Sequence, residues 1–279
     1  MIKIRGGGAL CNPPERNKLK NPKNQIRNPI FQKMSPDLVL RISNFGFLEY
    51  LQFMPAVKLH AVTKTFGKHT AVNDLSLDVP EGTVYGFIGP NGSGKTTTLR
   101  MIMRILHPDR GEISVLGQHS LDAASDRVGY LPEERGLYKQ MKVRDLLRFY
   151  ADLKGFRNSR ASIDAWLERL GLADWADKRI EALSKGMAQK IQFIATVVAK
   201  PKLVLLDEPF SGLDLASRRR ILEDFRQWHS ERQIPIVYVT HSHKEAVSLG
   251  ERMLLMEAGR IVAAGAPDSV LAQGEDFPE

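Results

Sequence analysis

Residues 89–96 read Gly-Pro-Asn-Gly-Ser-Gly-Lys-Thr, a complete G-x-x-x-x-G-K-[ST] phosphate-binding loop. Gly89, Gly92 and Gly94 let the backbone turn tightly, so that successive N–H groups wrap a phosphate. Lys95 reaches the terminal phosphates as a point charge. Thr96 offers a hydroxyl to Mg²⁺. Asn91, Ser93 and Thr97 complete the segment expected to hold a nucleotide. A second constellation is Asp207-Glu208, at the end of the run Lys202-Leu-Val-Leu-Leu. Carboxylates at the carboxyl end of a sheet strand sit where open α/β sheets bind ligands. Asp207 is read as a Mg²⁺ ligand, directly or through water, and Glu208 as the general base that polarises water.

These residues need rigid elements. Val84–Ile88 reads as a buried strand feeding the loop, and 96–106 as a helix whose N-terminal dipole faces the phosphate. Strands are expected at 57–62, 72–79, 112–116, 128–131, 202–206, 235–240, 253–256 and 260–264. Helices are expected within 143–171, from Ser184 through Ala199, and at 215–229 and 243–250. Strand and helix alternation around one sheet makes this an α/β fold, with a helical subdomain inserted at about 140–200.

Composition sets the outer limits. The 279 residues are 43% apolar and 26% charged, ordinary for a globular protein. No stretch approaches the ~20 apolar residues of a membrane span. The single Cys11 excludes an internal disulfide and fits a reducing compartment. The net charge is +8, but residues 1–53 hold nine Lys/Arg against three Asp/Glu. The basic excess therefore belongs to this tail, and no direct nucleic-acid contact is expected of the body. The tail admits two readings: translation starts at Met54, or 1–53 is a disordered basic extension. Residues 54–279 form the nucleotide-binding domain.

Four further segments matter. Leu183-Ser184-Lys185-Gly186-Met187 opens a helix, with Ser184 as its cap. Ser211-Gly212-Leu213-Asp214 follows the carboxylate strand, and His241 ends the strand Val237–Thr240. Phe66 lies in Lys64-Thr-Phe-Gly67. With these in order, residues 56–265 resemble the nucleotide-binding domain of ATP-binding-cassette (ABC) transporters, a P-loop NTPase with a RecA-like core, an antiparallel β subdomain and a helical subdomain.

The resemblance implies ATP and Mg²⁺ as cofactors, and ATP hydrolysis coupled to transport. It implies a dimer of these domains in which Ser184, Lys185, Gly186 and Met187 of one copy complete the site of the other. It gives Phe66 the role of stacking on adenine, Asp214 a place in the D-loop, and His241 contact with the γ-phosphate. It also implies a separate membrane permease, hence a peripheral position on the cytoplasmic membrane face. Leu137, Tyr138 and Met141 are candidate permease contacts, with subdomain core the alternative for each. His229 and His243 lack such context and are expected at the surface.

Three positions, in two motifs, depart from the family pattern. Glu133 replaces the usual Gln and is retained as an ATP- and metal-site residue. Lys185 and Met187 replace Gly and Gln in the signature. The run Pro132-Glu-Glu-Arg-Gly-Leu-Tyr138 is similar to an exporter subgroup that includes sodium and drug efflux. Two alternatives stand beside this reading: an ABC ATPase acting on ribosomes or DNA, and an ATP-regulated module without turnover.

Overall fold

The computed structural model describes residues 54–119, 125–133, 136–210 and 213–272. The expectations for residues 1–53, Ser211 and Gly212, and the side chain of His243, lie outside the described residues.

β1 (Val57–Phe66) and β2 (His69–Val79) form an antiparallel hairpin. Their burial alternates along the chain, as it does where a sheet covers a core with one face only. β3 (Val84–Ile88) leaves for a second sheet, and β4 (Arg110–Val115) returns to the free edge of β1. The second sheet adds β5 (Val128–Leu131), β6 (Leu203–Asp207), β7 (Ile236–Thr240), β8 (Arg252–Glu257) and β9 (Arg260–Gly265), in the order β5-β6-β7-β3-β8-β9. All its pairs are parallel except β8 with β9. Every residue of β3, β6 and β7 is buried. That accounts for their unbroken apolar runs, since helices and the smaller sheet cover both faces.

The helices are α1 (Lys95–Ile102), α2 (Val143–Leu153), α3 (Arg160–Arg169), α4 (Lys185–Val197), α5 (Leu215–Arg232), α6 (His243–Leu249) and α7 (Pro267–Leu271). α2, α3 and α4 form the helical part. It is locked to α5 by Trp166, Phe193, Phe225 and Trp228, whose ring centroids lie 5.7–6.1 Å apart. Each such pair contributes about 0.5–1.5 kcal/mol beyond its area burial. The architecture is the α/β P-loop class with the antiparallel and helical parts that the sequence suggests.

Three details differ. The helix expected over 96–106 ends at Ile102, and Arg104 turns the chain at φ 54°. α7 carries no strong periodic pattern and was not foreseen. His229, expected at the surface, is buried, and its Nε2 lacks a hydrogen-bond partner. It lies four residues after Phe225 and seven after Leu222, so helical spacing puts it on the inward face of α5.

Candidate functional site

The loop between β3 and α1 is built on glycine. Gly94 sits at φ 102°, and a Cβ there would lie 2.4 Å from the Ala71 carbonyl oxygen. No other residue fits both the conformation and the space. Lys95 opens α1 and folds back under the loop. Its Nζ donates to the carbonyls of Gly89 at 2.7 Å and Pro90 at 2.9 Å. Burial lowers its pKa, and the carboxylates of Glu208, Asp207 and Glu133 oppose that shift. Ser93 Oγ is buried without a hydrogen-bond partner, a donor turned into the loop.

β6 delivers the two carboxylates. Thr96 Oγ1 donates to Asp207 Oδ1 at 3.1 Å. Burial raises the Asp207 pKa; the Thr96 bond lowers it and nearby Glu133 raises it further. Tyr130 lies close to Asp207, beside Arg100 of α1. Burial, then the negative charge of Asp207, pushes the phenol up to about 12. Tyr130 and Arg100 were not anticipated. In the sequence Tyr130 is one strand aromatic among others; the pairing of its strand with β6 brings it to the site.

Glu208 lies one residue past β6 at φ 46°. An ordinary residue spends about 1–2 kcal/mol there. Its backbone N–H donates to Val239 O at 3.0 Å, which fixes the turn against β7. Its Oε1 is 2.9 Å from His241 Nδ1, and the side chains are 9% and 62% exposed respectively. Burial raises the Glu208 pKa, while the His241 hydrogen bond and charge lower it.

One cleft of about 340 Å³ gathers Asn91, Gly92, Gly94, Lys95, Thr96, Thr97, Glu133, Glu208 and His241. Phe66 stands at its rim, 47% exposed, with Lys64 Nζ 5.5 Å from the ring centroid. His69 and Ala71 also line it; the residue types alone did not mark them. The donors suit a nucleoside triphosphate with a hard cation. Loop N–H groups and an ammonium would face phosphate, and the oxygens of Thr96, Asp207 and Glu133 would face the cation. Among the described residues no cluster of three His, Cys, Asp or Glu forms a metal cage.

Ser184, Lys185, Gly186, Met187 and Asp214 are not part of this cleft. Ser184 Oγ accepts from Met187 N at 3.3 Å and caps α4. Ser184 and Lys185 are exposed, while Met187 packs on the chain's own core. Asp214 Oδ1 accepts from Ala216 N at 3.1 Å, closing the first turn of α5. Gln189 of α4, also unforeseen, donates through Nε2 to the Pro209 carbonyl, and so ties that helix to the Glu208 turn.

A profile of the ABC transporter family matches residues 72–211. A shorter match, residues 176–247, is to the AAA domain described as a putative AbiEii toxin of a type IV toxin–antitoxin system. The chain is 44% identical to the uncharacterized ABC transporter ATP-binding protein YhaQ of Bacillus subtilis, over 73% of this chain and 69% of YhaQ. It is 34% identical to the sulfate/thiosulfate import ATP-binding protein CysA of Escherichia coli, over 77% of this chain and 61% of CysA. A solved structure of an ATP-binding subunit of an ABC transporter superposes with a TM-score of 0.70 at 25% identity, covering 79% of this chain and 93% of that one. The chain belongs to the ATP-binding subunits of ABC transporters.

Proposed function

We propose that this chain hydrolyses ATP with Mg²⁺ to drive solute export through a separate membrane permease. The observation that carries the reading is the convergence of Lys95, Glu133, Glu208 and His241 on the cleft of the phosphate loop. Lys95 and the loop N–H groups bind and neutralise the β- and γ-phosphates. Thr96, Asp207 and Glu133 hold Mg²⁺, which supplies charge neutralisation between the phosphates. Glu208 accepts a proton from the attacking water, and His241 holds that carboxylate in place and meets the γ-phosphate. Phe66 stacks on adenine.

The site is half of a pair. Ser184 and Lys185 lie exposed at the N-terminus of α4, outside the chain's own cleft. That position supports a role for Ser184–Met187, and for Asp214, against the ATP of a second copy. The chain then works as a dimer on the cytoplasmic face of the membrane. No helix among the described residues is long and apolar enough to cross a membrane. A cleft of about 360 Å³ beside Glu133 is lined by Met103, Tyr130, Leu137, Tyr150, Leu153 and Gln192. Its apolar lining supports permease docking there. Leu137 lines it and Met141 packs on the core; Tyr138 is 54% exposed, with its ring on Phe149. The run around Glu133 supports export. The helical segment at about 140–200 carries both the exposed signature and much of this docking wall.

Glu208→Gln is the test. It should lower kcat by about 100-fold or more, the scale of a lost general base, and leave ATP affinity intact. Equal turnover by both proteins, with the permease present, would remove Glu208 from the chemistry. ATP should also shift the variant from monomer to dimer in size-exclusion chromatography.

A further inference from the structure

Glu245 is a buried carboxylate for which the proposed chemistry has no use. It lies on α6, 5% exposed. Its Oε2 accepts from Thr240 Oγ1 at 2.8 Å, and its Oε1 meets Arg218 Nη1 of α5 at 3.0 Å. Thr240 Oγ1 also accepts from Ser242 N at 3.1 Å. The residues on both sides of His241 are therefore fastened to one hydroxyl, and through it to Glu245. Arg218 reaches the other way. Its Nη2 approaches Leu213 O at 3.4 Å, and its backbone N–H donates to Asp214 O at 3.0 Å.

An ion pair with one partner buried and the other half-buried gives little net stability, because desolvation offsets the attraction. Its geometry is what the protein gains. We infer that Arg218 and Glu245 are positioning residues: the pair is a strut that sets His241 relative to Leu213–Asp214 at the start of α5. The inference rests on the dimer reading for its consequence. In that reading Asp214 faces the second copy, so the strut reports the partner's arrival to the histidine that holds Glu208. Neither residue touches ATP.

The test uses the full chain and the double variant R218M/E245M, which removes both charges so that neither is left buried alone. Three properties separate positioning from mere structure. The melting temperature and the KM for Mg-ATP should stay near wild type, while kcat falls about tenfold, the scale of a displaced catalytic group. The His241 ring resonances, followed by NMR with ATP and Mg²⁺ absent, should move, because the 2.9 Å contact with Glu208 is loosened. R218K, which keeps the charge, should restore part of kcat. An unchanged kcat together with unmoved His241 ring resonances overturns the strut. If instead ATP fails to dimerise the Glu208→Gln chain, the dimer reading falls. The strut is then judged on the His241 ring resonances alone: a displacement supports it and unmoved resonances end it.

Discussion

Glu208 and His241 touch directly: Oε1 of the buried carboxylate lies 2.9 Å from Nδ1 of the exposed imidazole. The two residues leave neighbouring strands, β6 and β7, whose register places Asp207 beside Val239. The carboxylate is thus oriented from one side by β6 and from the other by the histidine, before any substrate arrives.

The contact sets the acid limb of the pH profile. Burial pushes the Glu208 carboxyl above the usual glutamate range, and His241 pulls it back. A base must be ionised to accept a proton. Turnover should therefore fail, on acidification, at a pH above that of an ordinary glutamate. His241→Ala removes a lowering influence, so its acid limb should lie higher than that of the wild type. A profile of kcat/KM against pH for the two proteins checks this; a limb that moves down contradicts it.

The same burial has a stability consequence. With its pKa raised in the fold, Glu208 binds a proton more readily folded than unfolded. Between the two pKa values, stability therefore falls as pH rises. Glu208→Gln has no such loss. In nucleotide-free melts the variant should gain on the wild type as pH increases from below the usual glutamate range toward neutrality. Parallel curves would show that burial is not felt.

The phosphate loop tolerates little. Gly94→Ala places a Cβ 2.4 Å from the Ala71 carbonyl at φ 102°. It should cost about 1–3 kcal/mol of stability, the usual scale for a residue forced into a sparsely populated region, and weaken ATP binding. Thermal melts and fluorescent-nucleotide titration read the two effects.

Tyr130 should act through the metal. Tyr130→Phe deletes the hydroxyl near Asp207 and leaves the ring in place. The Mg²⁺ concentration for half-maximal turnover should rise by about tenfold, as when a residue supporting a metal ligand is lost. ATP binding in EDTA should not change. Equal weakening with and without Mg²⁺ would assign Tyr130 to packing.

Much of this was readable beforehand because the chemistry sits at strand ends. The apolar run Leu203–Leu206 announces a covered parallel strand, and the residues after it, Asp207 and Glu208, must then emerge at its carboxyl edge. The G-x-x-x-x-G-K-T string fixes its own backbone shape. What stayed hidden depends on strand order. Nothing local in Arg218 or Glu245 says that β7 lies beside β6 and brings α6 against α5. Tyr130 looks like any strand aromatic until β5 is known to border β6. His229 was legible and overlooked: its spacing from Leu222 and Phe225 marks the inner face, against the usual preference of histidine for partial exposure.

The strand order also dictates when the protein becomes able to work. β3 is complete by Ile88, yet its sheet neighbours, β7 and β8, begin at Ile236 and Arg252. During synthesis, which runs at about 5–20 residues per second, the nascent chain exposes a finished phosphate loop on a strand without its sheet partners. A chain cut short before Ile236 therefore lacks both sheet partners of the phosphate-loop strand, and His241 with them.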